Sequence, residues 1–232
     1  MDSLNQYATP SSNLVKNEPT DKQFDHEGLN PWFSMWTKPR ACIQQIINGN
    51  PKYILVLWLS GFLSTFHQGG ILTDGVPLEL PLRILFSAIL GPLIAFVLIT
   101  IYCYLLRWTG NLFNGRASAA EIRIAMVWAT VPVIWSSLLF IPRFVLLGEE
   151  ALDPEWFIQI FVDDPHLGLT TLYTLELIIT VWAIVVMLKA IGQEQGFSAW
   201  KSLGSLIVAV IVIVFVIFGG GMLMLLSGLN SF

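Results

Sequence analysis

Residues 84–106 read ILFSAILGPLIAFVLITIYCYLL, 23 positions without an Asp, Glu, Lys or Arg. A helix needs about 20 apolar residues to cross a hydrocarbon core of ~30 Å. Inside lipid the backbone must satisfy its own hydrogen bonds, so a helix is the expected form. Working outward, the same pattern recurs at Tyr53–Thr73, at Ile124–Pro142 with an extension past Arg143 to Leu147, at Leu167–Leu188 and at Leu203–Leu226. Only Glu176 interrupts these four runs with a charge. The chain of 232 residues has a mean hydropathy of +0.69 and 12% charged residues, about half the share of a soluble domain. The expected fold class is therefore all-α, a polytopic integral membrane protein with five transmembrane helices. Its expected parts are a disordered polar tail over 1–29, an interfacial segment over 30–51 and a five-helix domain over 52–232. No cleavable signal peptide is expected at the start.

Direction follows from the basic residues. Ten of the 12 lie before the first run, between the second and third, or between the fourth and fifth. Arg83 and Arg143 fall on the other side. The positive-inside rule then puts the N-terminus in the cytoplasm and the C-terminus outside. The opposite loops carry Asp74, Glu79, Glu149, Glu150, Asp153, Glu155, Asp163 and Asp164, a solvated acidic surface or a dock for a cationic peptide. A sequence pI near 5.3 excludes the basic footprint of a nucleic-acid binder.

The connections carry local signals. Ser118-Ala-Ala-Glu121 is a capping box, and Asp153-Pro154 and Asp164-Pro165 are helix starts. Ser198 is placed to cap the last helix. Trp156–Val162 is too short to cross and suits an interfacial segment. Asn114-Gly115 signals a turn, and Gly196 a helix stop followed by the interfacial aromatics Phe197 and Trp200. Gly91-Pro92 and Pro132 predict kinks, and Gly219-Gly220-Gly221 predicts either close packing or a hinge. Ahead of the first run stands NPWFSMWTKPRACIQQII, residues 30–47. Trp32, Phe33 and Trp36 suit a headgroup layer, with Lys38 and Arg40 drawn to anionic lipid. Pro39 opens a helix whose stripe, Cys42, Ile43, Ile46 and Ile47, predicts a membrane-parallel amphipathic element ended by Asn48-Gly49-Asn50-Pro51.

Three of these stretches, NPWFSMWTKPR, FNG with EIRIAMVWATVPVI, and EQGFSAWKSL, resemble the signature segments of the bacterial branch of the Yip (Ypt/Rab-interacting) family of membrane proteins. The resemblance covers roughly residues 30–226 and implies five transmembrane helices with a cytoplasmic N-terminus in a bacterial cell membrane. Eukaryotic relatives are tied to Rab GTPases, a role that does not carry over. Some Bacillus-type members accompany an ABC exporter in resistance to a toxic peptide, so the resemblance implies an exporter subunit or adaptor as partner.

The chain contains no Walker A, HExxH, GxSxG, GxGxxG or CxxC sequence. His26, His67 and His166 are far apart, and Cys42 and Cys103 read as small apolar residues. No catalytic, cofactor or metal residues are assigned. Glu176 is the sharpest single residue, because a carboxylate at mid-span costs ~3 kcal/mol when ionised. It is read as bonding a Ser or Thr of another span, pairing with a partner's helix, or serving an ion path. The leading expectation is a non-enzymatic membrane accessory or scaffold protein bound to another membrane complex and surrounded by lipid, with homo-oligomerisation open. The alternative is a small channel or secondary transporter built on Glu176 and the kinked helices.

Overall fold

The computed structural model describes residues 28–49, 52–67, 79–148, 151 and 167–229, with side chains to residue 219. Helix α1 covers Pro31–Thr37 and α2 covers Pro39–Asn48. They precede α3 (Ile54–His67) and α4 (Leu80–Leu112). The third run is segmented into α5 (Ala119–Ala129), α6 (Val131–Ser136), a 3-10 turn over Ser137–Leu139 and α7 (Phe140–Leu147). Helices α8 (Leu167–Gln195) and α9 (Ala199–Leu229) complete the chain. Among the described residues four stretches are long and apolar enough to cross a membrane: Leu80–Leu112, Ala119–Leu147, Leu167–Gln195 and Ala199–Gly219. Helix α3 is apolar but has 14 residues, ~21 Å of helix, and residues 68–73 of the expected first span lie outside the described ones. The chain is a multi-pass membrane protein whose spans contact lipid. Residues 1–27, Asn50-Pro51, both Asp-Pro starts, Trp156–Val162, His26 and His166 also lie outside the described residues, as do the surroundings of Gly220 and Gly221.

The prolines behave differently from one another. Helix α4 runs without interruption through Pro92, where the proline has no N–H to give to the helical ladder. The partner of that proline is Gly91, which meets Gly61 of α3 backbone to backbone. A Cβ on Gly61 would sit 2.6 Å from the Gly91 carbonyl oxygen. Only glycines permit the crossing of α3 on α4. Pro132 does break its helix: α5 ends at Ala129, Thr130 forms a turn, and α6 restarts with the proline in its first turn. Gly219 does not show the close packing expected of the triple glycine, since a Cβ there would meet nothing within 4 Å.

The main core joins α1, α2, α3, α5, α6 and α8. Met35, Cys42, Ile43, Val127, Val131 and Ala190 are all at 0% exposure in it. A second cluster around Cys103, Leu106, Ile122 and Ile191 joins α4, α5, α8 and α9.

Candidate functional site

The end of the bundle carrying α1, α2 and the α4–α5 and α8–α9 connections holds most of the basic residues, and is called here the basic end. Helix α1 adds an element to the segment whose Trp32, Phe33 and Trp36 were expected at a headgroup layer. Asn30 accepts a bond from the Trp32 N–H at 3.1 Å, and Pro31 occupies the first turn. The chain before α1 is clamped to α2, because the Gln45 amide exchanges two bonds with the Leu29 backbone, at 3.2 and 3.0 Å.

Three tryptophans of the spans surround α1. Trp32 meets Trp128 edge-on, with ring centroids 6.0 Å apart. Phe33 leans on Trp135 at 5.6 Å. The Trp135 indole donates to the Trp32 carbonyl at 3.2 Å, and the Trp182 indole to the Trp36 carbonyl at 3.0 Å. A helix leaves its last four carbonyls without helical partners, and Trp36 supplies one of them. Trp182 satisfies it from a helix 146 positions away. Pro39 starts α2 as expected, and its stripe buries Cys42, Ile43 and Ile46. That face does not lie on a lipid surface: it packs on Trp128, Val186 and Ala190 of the bundle. Periodicity reveals an apolar stripe but not what covers it. Burial pushes the Cys42 thiol up to about 12, so it is inert in place. Lys38 and Arg40 remain exposed.

The two connections at this end share one design. Helix α4 ends with the Gly115 N–H bonding the Gly110 carbonyl at 2.9 Å and the Asn114 N–H bonding Asn111 at 3.1 Å. Helix α8 ends with the Phe197 N–H bonding Gly192 at 2.9 Å and the Gly196 N–H bonding Gln193 at 3.2 Å. These are Schellman caps, and each needs a residue at positive φ. Asn114 stands at +63° and Gly196 at +74°. The expected turn and stop are therefore both present. The capping box also forms, with Ser118 and Glu121 bonding reciprocally, and Ser198 caps α9 through the Lys201 N–H at 3.4 Å.

Gln195 joins the two caps and was missed. It is 1% exposed and its amide donates to the Leu106 carbonyl at 3.1 Å. Its main-chain carbonyl accepts from the Arg116 N–H at 3.3 Å. Gly110 and Gly115 leave the room it fills, as a Cβ on either would collide with its amide group. Nearby, Thr109 and Ser205 share a buried hydroxyl bond of 2.8 Å that ties α4 to α9. The three signature segments thus form one continuous cap. Phe197 is half-buried there, whereas Trp200 is 81% exposed.

Glu176 lies in the other half. Its carboxylate pairs with Arg143 Nη1 at 3.2 Å. The expected Ser or Thr partner is corrected: the neighbouring-helix partner of Glu176 is Arg143, carried by α7 within the extension of the third run. The guanidinium also lies 4.9 Å from the Phe140 ring centroid and 5.2 Å from that of Tyr173. Arg83 stays at the far end of α4, donating to the Phe66 carbonyl at 3.1 and 2.9 Å. A cleft of about 350 Å³ beside the Thr130 break is lined in part by Ser60, Ser64, His67, Thr130 and Ser137. Among the described residues no group of three or more His, Cys, Asp or Glu is arranged to hold a metal.

No curated protein and no solved structure matches the chain. A family model described as the Yip1 domain matches residues 33–221, from Phe33 of α1 into α9, and includes all the residues of both caps. The chain belongs to the Yip1 domain family of membrane proteins.

Proposed function

We propose that this protein is a non-enzymatic accessory or scaffold subunit that docks on another membrane complex through its basic end. The observation that carries this reading is the pairing of a rigid cap with outward aromatics. Trp200 is 81% exposed on the first turn of α9, and Phe33 is 62% exposed on α1. Both stand on elements held by caps, indole bonds and buried glutamine contacts. Exposed aromatics on rigid supports are the usual anchors of protein interfaces. The positive-inside distribution supports a cytoplasmic basic end with the C-terminus outside, and the family resemblance supports a bacterial cell membrane. The family resemblance makes an ABC exporter acting against antimicrobial or toxic peptides the leading partner, with assembly or regulation as the service rendered. Affinity purification in a gentle detergent tests this. A membrane complex should co-purify with the full chain and be depleted several-fold by Trp200→Ala. A chain that emerges alone, in a strain where its deletion alters no complex, contradicts the proposal.

A small channel or secondary transporter is the second reading, favoured by the hydroxyl-lined cleft beside the Thr130 break. In that reading the Arg143–Glu176 pair must open to pass a solute, since its carboxylate is already neutralised. Flux into liposomes containing this protein alone separates the two. Transport abolished by Glu176→Gln supports the transporter, and a tight vesicle at high protein density eliminates it.

A further inference from the structure

A groove descends the outer side of α8 below α1. Its volume is about 590 Å³, and Trp36, Leu177, Ile178, Ile179, Val181 and Trp182 line it. The lining is apolar. The one hydrogen-bond donor of Trp182 is already used on the Trp36 carbonyl. At the basic end of the groove the chemistry changes. Lys189 extends back over Trp182, its ammonium 5.6 Å from the ring centroid. Lys38 is exposed two residues beyond Trp36. The one ion pair among the described residues is Arg143–Glu176, so neither lysine has a carboxylate partner among them. On α8 itself the flanking acids are Glu176, tied to Arg143, and Glu194, more than a turn past Lys189.

The groove residues from Leu177 to Trp182 cover ~8 Å of helix rise, and Lys189 stands ~18 Å from Leu177, near the ~15 Å half-thickness of a hydrocarbon core. An apolar wall within one leaflet, leading to two ammonium groups with no carboxylate partner among the described residues, complements a molecule with a fatty chain and an anionic head. A partner's transmembrane helix would use the wall but not the two charges. We propose that the groove binds an anionic phospholipid of the leaflet at the basic end. One acyl chain lies along Leu177–Trp182 and the phosphate sits between Lys38 and Lys189. The indoles of Trp36 and Trp182 then mark the boundary between chain and headgroup, where such rings are favoured.

The test is retention of lipid by the full chain. The protein is reconstituted in nanodiscs of equal phosphatidylglycerol and phosphatidylcholine, released into detergent and weighed intact with its bound lipid by native mass spectrometry. Each lysine near an anionic headgroup is worth about a fivefold preference, so with both the wild type should favour phosphatidylglycerol by at least about tenfold. Lys38→Gln with Lys189→Gln should bring this within about twofold. Arg107→Gln with Lys201→Gln removes equal charge elsewhere at the same end and should leave the preference intact. Val181→Trp, which fills the groove, should lower retention of both lipids without altering the thermal midpoint. Equal retention by the wild type overturns the proposal. So does an equal loss in the Arg107/Lys201 control, which signals a diffuse surface potential. Displacement of the lipid by soluble glycerol phosphate, which has no chain, overturns it as well.

Discussion

At the basic end, α4 and α8 stop in matching Schellman caps and share one buried glutamine. In the other half, α7 and α8 meet through a single ion pair, Arg143–Glu176, with Phe140 and Tyr173 against the guanidinium. The first arrangement spreads its polar contacts over main-chain groups, none of which carries a full charge. The second concentrates them in two side chains in an apolar setting, where attraction is strong and an unpaired member is costly. The two regions should therefore fail differently: the ion pair abruptly on removal of one partner, the cap by small increments.

The ion pair should show the largest effect. Arg143→Ala or Glu176→Ala leaves one charge without its partner, and each should lower stability in mild detergent by about 3 kcal/mol. The double substitution to Met should recover most of that loss, because it removes both charges and keeps apolar volume. Thermal denaturation of the three variants checks this, and a double variant as unstable as the singles would erase the contrast. Next comes Gly115→Ala. It drives a methyl group into the Gln195 amide and should cost about 2 kcal/mol through displaced packing and a lost hydrogen bond. Combining it with Gln195→Ala should cost less than the sum, a coupling that a double-mutant cycle measures. Asn114→Gly should show the smallest effect, within a few tenths of a kcal/mol, because both residues tolerate the positive φ found there.

The same contrast explains what was legible beforehand. The caps rest on contacts within a few residues, so Ser118 with Glu121, Asn114-Gly115 and Gly196 announced themselves through local chemistry. The apolar runs located the long helices for the same reason. Arg143 was read as an outer-side charge within the extension of the third run, because a charge usually marks the membrane edge. The signal that could have found its role is a lone arginine and a lone mid-span glutamate on successive spans. Gln195 gave no sign, being an ordinary polar residue whose importance comes from two glycines more than 75 positions earlier. The docking of α1 was equally hidden. Trp32, Phe33 and Trp36 have a composition suited to headgroups, and the indoles that hold them come from 103 and 146 positions away. Membrane contact and protein contact select the same residue types there.

That docking is the structural basis of the rigid cap, and one thiol reports on it. Cys42 is at 0% exposure under α2, with its thiol pushed up to about 12. In a Cys103→Ala background, purified in mild detergent, its labelling by N-ethylmaleimide at neutral pH gives the most direct measurement. The docked hairpin predicts labelling at least about a hundredfold slower than a free thiol, since the sulfur is shielded at 0% exposure and burial disfavours its thiolate. Trp135→Phe with Trp182→Phe removes both indole donors, worth about 1 kcal/mol each, and should speed labelling several-fold. A wild-type Cys42 that reacts as fast as a free thiol would contradict the account.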